Sequence, residues 1–174
     1  MDFLFEFTYQ LSADDHDQRD IVERLGEQGC TDALVGIGHP GRIALEFIRH
    51  ADNAFAAMTS ALADVKRVIP SAQLIEVRPD LVGLTDIAEF AEVSRQNMRK
   101  LAYNNCQTFP VPVHAGSTTL WHLDEVLRWL MPRGSYPIEP GTLEVASIAK
   151  QLNIAIQARQ IEPDLFHQLQ ALLA

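Results

Sequence analysis

The chain has 174 residues, 47% hydrophobic and 21% charged, enough to bury a core as one full domain or two small ones. Fourteen Lys and Arg against twenty-three Asp and Glu give a net charge of −9, which excludes unspecific long-range attraction to nucleic acid or anionic lipid. No apolar run approaches the roughly 18 residues of a membrane span, and "MDFLFEF" lacks a basic start or cleavage site, so no membrane association and a cytoplasmic location are expected.

In chain order, "DFLFEFTYQL" alternates, with Phe3, Phe5, Phe7 and Tyr9 on one side and Leu4, Glu6 and Thr8 on the other, the period of a half-covered strand. Ser12 can cap a helix over 13–28 that places Ile21, Leu25 and Val22 on one stripe and stops at Gly29. "DALVGIG" and "RIALEFIRH", joined through "HPGR", predict a hairpin. Asp52 or Asn53 then caps a helix with Phe55, Met58, Leu62, Val65 and Val68 at helical spacing, stopped by Pro70, and "AQLIEVRPD" closes the unit as a strand.

This β-α-β-β-α-β order predicts a ferredoxin-like sandwich over residues 1–79, an α+β fold with two helices on one face of a four-stranded antiparallel sheet. Leu4, Thr8, Ala44, Ile48 and Leu74 fall on the face left open, which could take a second copy, a ligand or the next domain. Pro79 marks the boundary.

The next unit spans residues 81–134. Thr85 can cap the short helix "DIAEFA", "EV" is a turn, and Ser94 can cap "RQNMRKLAYNN", so the segment reads as a helix-turn-helix; neither cap has Glu or Gln three residues on to complete a capping box. In the second helix Met98, Leu101 and Ala102 face inward with Val93. Arg95, Gln96, Asn97, Arg99 and Lys100 project elsewhere and are the residue types that reach base edges and phosphates, while Ser94 and the free amides add a phosphate site. In "CQTFPVPVHAGSTTLWHLDEVLRWL", prolines hold Phe109 and Val111 extended, Ala115, Gly116 and Ser117 turn the chain, and Thr119, Leu120 and Trp121 return it as a hairpin wing. A helix with Val126, Leu127, Trp129 and Leu130 follows.

Residues 81–133, through "GLTDIAEFAEVSRQNMRKLA" and "FPVPVHAGSTTLWHLDEVLRWL", resemble the winged helix-turn-helix of the MerR and AlpA/excisionase superfamily. The resemblance implies a second helix in the major groove and a wing at phosphate or minor groove, and places Ser94, Arg95, Gln96, Asn97, Arg99 and Lys100 on the helix and His114, Ser117 and Thr118 on the wing as DNA-binding residues. The wing lacks the arginines common in MerR proteins, and the unit follows another domain instead of opening the chain.

Residues 140–174 predict helices suited to dimerisation: Thr142 is a candidate cap before the stripe Leu143, Ile148, Leu152, Ala155 and Ile156, and Pro163 opens a last helix with Leu165, Phe166, Leu169, Leu172 and Leu173. The expected function is a sequence-specific regulator of transcription that binds double-stranded DNA as a homodimer, its acidic N-terminal domain taking a protein partner or small effector. The alternative is an adaptor or antitoxin-like subunit.

No enzyme is expected, since no Ser-His-Asp order, paired carboxylates in an apolar setting or glycine-rich phosphate loop is present. Cys30 and Cys106 form no C-x-x-C pair and histidines 16, 39, 50, 114, 122 and 167 fall into no ligand spacing, so neither metal nor other cofactor is expected. The acidity is concentrated in residues 1–80, which carry seven basic and fourteen acidic side chains, whereas residues 81–134 carry five of each. Because salt screens charge beyond about 10 Å, a separate acidic domain leaves a local basic face free to meet phosphate.

Overall fold

The computed structural model describes residues 1–13, 15, 18–27, 30–36 and 38–173. The chain is mixed α+β, with two antiparallel sheets and, among the described residues, seven α-helices. Strands β1 (Asp2–Gln10), β2 (Ala33–Gly36), β3 (Arg42–His50) and β4 (Gln73–Arg78) form the first sheet in the order β2-β3-β1-β4. Helices α1 (Gln18–Glu27) and α2 (Ala54–Val68) lie between them in sequence. Helix α1 falls within the helix expected over 13–28; residues 14, 16, 17 and 28 of that span, and the expected stop at Gly29, lie outside the described residues.

Alternation does what the sequence implies. Phe3, Phe5, Phe7 and Tyr9 are buried on one face, joined by Ile43, Leu45 and Phe47 from β3 and Val77 from β4. Phe5 and Phe47 stack with centroids 5.4 Å apart. Burying a side chain of this size contributes about 1.5–3 kcal/mol, so these residues dominate the first core. Ile21 and Leu25 of α1 and Met58, Ala61 and Val65 of α2 cover them. Asn53 caps α2, its side chain accepting from the Ala56 N–H at 2.8 Å. Arg49 ties α2 to the sheet: it donates from Nε to Asp32 at 2.7 Å and from Nη1 to Asp64 at 2.8 Å.

On the opposite face Leu4 and Ile48 are 57% and 61% exposed, as expected, while Thr8 and Ala44 are half-buried. Leu74 departs from the expectation. The register of β4 against β1 shifts between Thr8 and Tyr9, so Leu74 pairs with Tyr9 and packs with the covered core. A bulge of one residue reverses every later side chain of a strand, which is why simple alternation misplaces Leu74.

The second unit follows directly. Strand β5 (Leu81–Val82) leads into α3 (Leu84–Phe90) and α4 (Arg95–Asn104); β6 (His114–Ala115) and β7 (Thr119–His122) complete a sheet in the order β5-β7-β6; and α5 (Leu123–Leu130) runs into a 3-10 turn over Met131–Arg133. Its core gathers Ile87, Ala88, Met98, Trp121, Val126 and Leu127. Phe109 meets Trp121 and Trp129 edge-on, at centroid distances of 5.9 and 5.0 Å.

Helix α6 (Pro140–Ala158) belongs to both cores, with Val145 and Ala149 in the first and Ala146 in the second. Its cap is Glu139, whose carbonyl accepts from the N–H of Thr142 and of Leu143, and not Thr142 as expected. Pro140 sets the start, since a proline in the first turn gives up no hydrogen bond the helix needs. Helix α7 (Pro163–Leu173) has no buried residue. Among the described residues, no helix is long and apolar enough to cross a membrane.

Candidate functional site

Helix α3 begins one residue before the Thr85 expected as its cap. Gly83 occupies the cap position, and the Asp86 carboxylate accepts from its N–H at 2.8 Å. A glycine here offers no side-chain cap, so Asp86 reaching back supplies the reciprocal half of a capping box with a shorter acid than the Glu or Gln usual there. The turn into α4 is tight: the Ala91 N–H donates to Ile87 O, the Val93 N–H to Ala88 O at 2.9 Å, and Glu92 takes a left-handed backbone with φ 52°. Ser94 then caps α4, its hydroxyl accepting from the Asn97 N–H at 3.2 Å.

These caps fix which way α4 faces. Met98 is 0% exposed and Leu101 and Ala102 are half-buried against the second core, whereas Arg95, Gln96, Asn97, Arg99 and Lys100 are all exposed. Arg95, Arg99 and Lys100 make no ion pair among the described residues. The outward face continues into Tyr103, 81% exposed and one turn beyond Arg99 and Lys100, a residue with no signal of its own in the sequence. Tyr136, from the segment before α6, borders a groove of about 220 Å³ with Asn97, Lys100 and Asn104.

The wing residues are present but modest. Strands β6 and β7 are tied by the Val113 N–H donating to Leu120 O at 2.8 Å, and His114, Ser117 and Thr118 are exposed. The hairpin is anchored from behind by Trp121, whose Nε1 donates to Pro110 O at 3.1 Å. The exposed His114 ring lies over Gly116, so a larger residue at the turn would turn that ring aside.

The remaining two cations of the unit are engaged elsewhere. Arg128 pairs with Asp124 at 3.2 Å, and the Arg133 guanidinium sits 3.3 Å from the centre of the Trp129 ring. The free positive charge of the unit is therefore on α4.

A buried polar cluster that no local pattern in the sequence marks out joins the units. Asp80, 1% exposed, binds His122 Nδ1 at 2.6 Å and accepts from Asn153 Nδ2 at 2.8 Å, and its carbonyl accepts from the Leu123 N–H. Asn153 also bonds both backbone groups of Val77, at 2.7 and 2.8 Å. Beside it, Lys150 lies 2.6 Å from Glu125 and 3.7 Å from Asp124. Burial alone would lower its ammonium, but the Glu125 hydrogen bond and the Asp124, Glu125 and Asp80 carboxylates leave it raised. The one signal in sequence was a polar Asn153 inside the stripe "LNIAI".

Among the described residues no group of three or more His, Cys, Asp or Glu side chains is placed to hold a metal ion. His50, which had no partner visible in sequence, meets Asp2 at 2.9 Å on the surface. Compared with protein-family models, curated proteins and solved structures, the chain matches none.

Proposed function

We propose that this chain is a sequence-specific double-stranded DNA-binding regulator of transcription, a homodimer that inserts the start of α4 into the major groove. The carrying observation is the outward display of Arg95, Gln96, Asn97, Arg99 and Lys100 on the first two turns of a capped helix, three cations among them without an ion-pair partner among the described residues. In this reading residues 81–133 are a winged helix-turn-helix like that of the MerR and AlpA/excisionase superfamily, and residues 1–79 a ferredoxin-like sandwich. The strand order β2-β3-β1-β4 with helices on one face, and the hairpin after α4, support both assignments.

Ser94 and the free amides of α4 take a phosphate, the Arg and Lys side chains hold backbone or guanine, and Gln96 and Asn97 suit adenine. His114, Ser117 and Thr118 lie beside the duplex on the wing. Three free cations give few phosphate contacts, so one copy binds modestly; two copies double them on half-sites about 34 Å apart. The exposed apolar side of α7 is the surface proposed for dimerisation.

The same apolar side, with Leu4, Leu34 and Ile48 exposed on the first sheet, favours a second reading: an adaptor or antitoxin-like subunit that binds a protein partner. Retardation of sheared genomic DNA at low salt separates the two. The regulator retains a subset of fragments, and Arg95→Ala releases them while the fold survives. Retention of no fragment at any salt favours the adaptor.

A further inference from the structure

A second, distant groove of about 380 Å³ opens between α2 and α6 at the end of the first sheet. Leu62, Leu74, Leu152 and Ile156 form its walls, and Tyr9, 4% exposed, lines it. Leu74 reaches this wall only because of the bulge in β4. Two cations stand at the groove, Lys66 from α2 and Arg159 just past α6, both exposed and without an ion pair among the described residues. Among the described residues lining the groove none is acidic, so its local charge is positive in a chain with twenty-three acids and fourteen bases.

We propose that this groove binds a small amphipathic monocarboxylate, its aliphatic tail along the Leu62, Leu74, Leu152 and Ile156 walls and its carboxylate between Lys66 and Arg159. The volume falls at the small end of ligand pockets, about 300–1,000 Å³, which suits a short to medium acyl chain. Arg159 offers the planar fork that fits a carboxylate, and Lys66 a second charge-assisted bond. The Tyr9 hydroxyl has no hydrogen-bond partner among the described residues. Burial, and to a lesser degree the neighbouring Cys30, pushes it up, so it stays protonated and able to donate. An organic cation of the same shape meets like charge. This site is independent of DNA reading, since none of its residues belongs to the second unit.

The test is a titration of the full isotope-labelled chain, followed by NMR, with octanoate, octylamine and octanol in parallel. Octanoate is expected to bind saturably, shifting the Leu62, Leu74 and Leu152 methyls, while octylamine and octanol do not saturate. Lys66→Gln with Arg159→Gln should weaken octanoate at least about tenfold, the loss of two charge-assisted bonds. Ala155→Trp, at an exposed position lining the groove, should abolish binding without lowering the melting temperature. Equal binding of octylamine, no saturable octanoate binding, or octanoate affinity unchanged in these variants overturns the proposal. So does a change of oligomeric state in the double variant, which would mean that a second copy fills the groove.

Discussion

Asn153 holds Val77 by both of its backbone groups: its Oδ1 accepts from the Val77 N–H at 2.8 Å and its Nδ2 donates to Val77 O at 2.7 Å. Val77 lies on β4, an edge strand, and its partner in β1 is Phe7. One side chain of α6 thus satisfies the outward N–H and carbonyl of Val77, as a neighbouring strand would at that position of the edge. The same amide reaches Asp80, so sheet edge, linker and wing strand meet at one residue.

Asn153→Ala should therefore be severe for a single polar truncation. It leaves the Val77 N–H and carbonyl and one oxygen of a buried Asp80 without their partner, and a cost of roughly 2–4 kcal/mol follows from stranding such groups. Chemical denaturation followed by circular dichroism measures it. A loss under about 0.5 kcal/mol would mean that water replaces the amide at no cost.

The two tryptophans of the second core should respond differently to the same change. Trp121 Nε1 donates to Pro110 O, whereas Trp129 Nε1 is buried without a hydrogen-bond partner. Replacing each by Phe keeps an aromatic ring against Phe109 but removes a made bond in one case and an unmade one in the other. Trp121→Phe should cost about 1 kcal/mol more than Trp129→Phe. Thermal unfolding of the pair decides it, and equal losses would contradict the assignment of the Pro110 bond.

Thiol chemistry should divide the cysteines. Cys106 is exposed and Cys30 is buried, and burial, with the nearby Asp64 carboxylate, pushes the Cys30 thiol up. Since the thiolate is the nucleophile, one equivalent of an aromatic disulfide reagent should react quickly at about pH 8, and the second only on unfolding. Arg49 acts the other way on Cys30, so Arg49→Gln should slow the second equivalent further; two fast equivalents in the unsubstituted chain would be inconsistent with this burial.

Much of this architecture was legible in the residues themselves. The alternation of Phe3, Phe5, Phe7 and Tyr9, the cap at Asn53, the cap at Ser94 and the inward turn of Met98 follow from local chemistry, and they are where reading and structure agree. Leu74 departs from simple alternation through a bulge, which has no signature in a strand of ordinary composition. Thr85 and Thr142 were passed over as caps because Asp86 and Pro140 fix the helix starts in other ways. Of the Asp80, His122 and Asn153 cluster only the polar Asn153 within its apolar stripe shows in the sequence, because its members lie 42 and 73 residues apart and no local period brings them together.

Contact between DNA and the first two turns of α4 is tested by the salt dependence of binding to a duplex selected from genomic fragments, compared between the unsubstituted chain and Arg99→Ala. Binding should weaken steeply with salt, with a logarithmic slope smaller by about one per copy in the variant and an unchanged melting temperature. Enrichment of no sequence, or the same affinity and slope in both proteins, would contradict it.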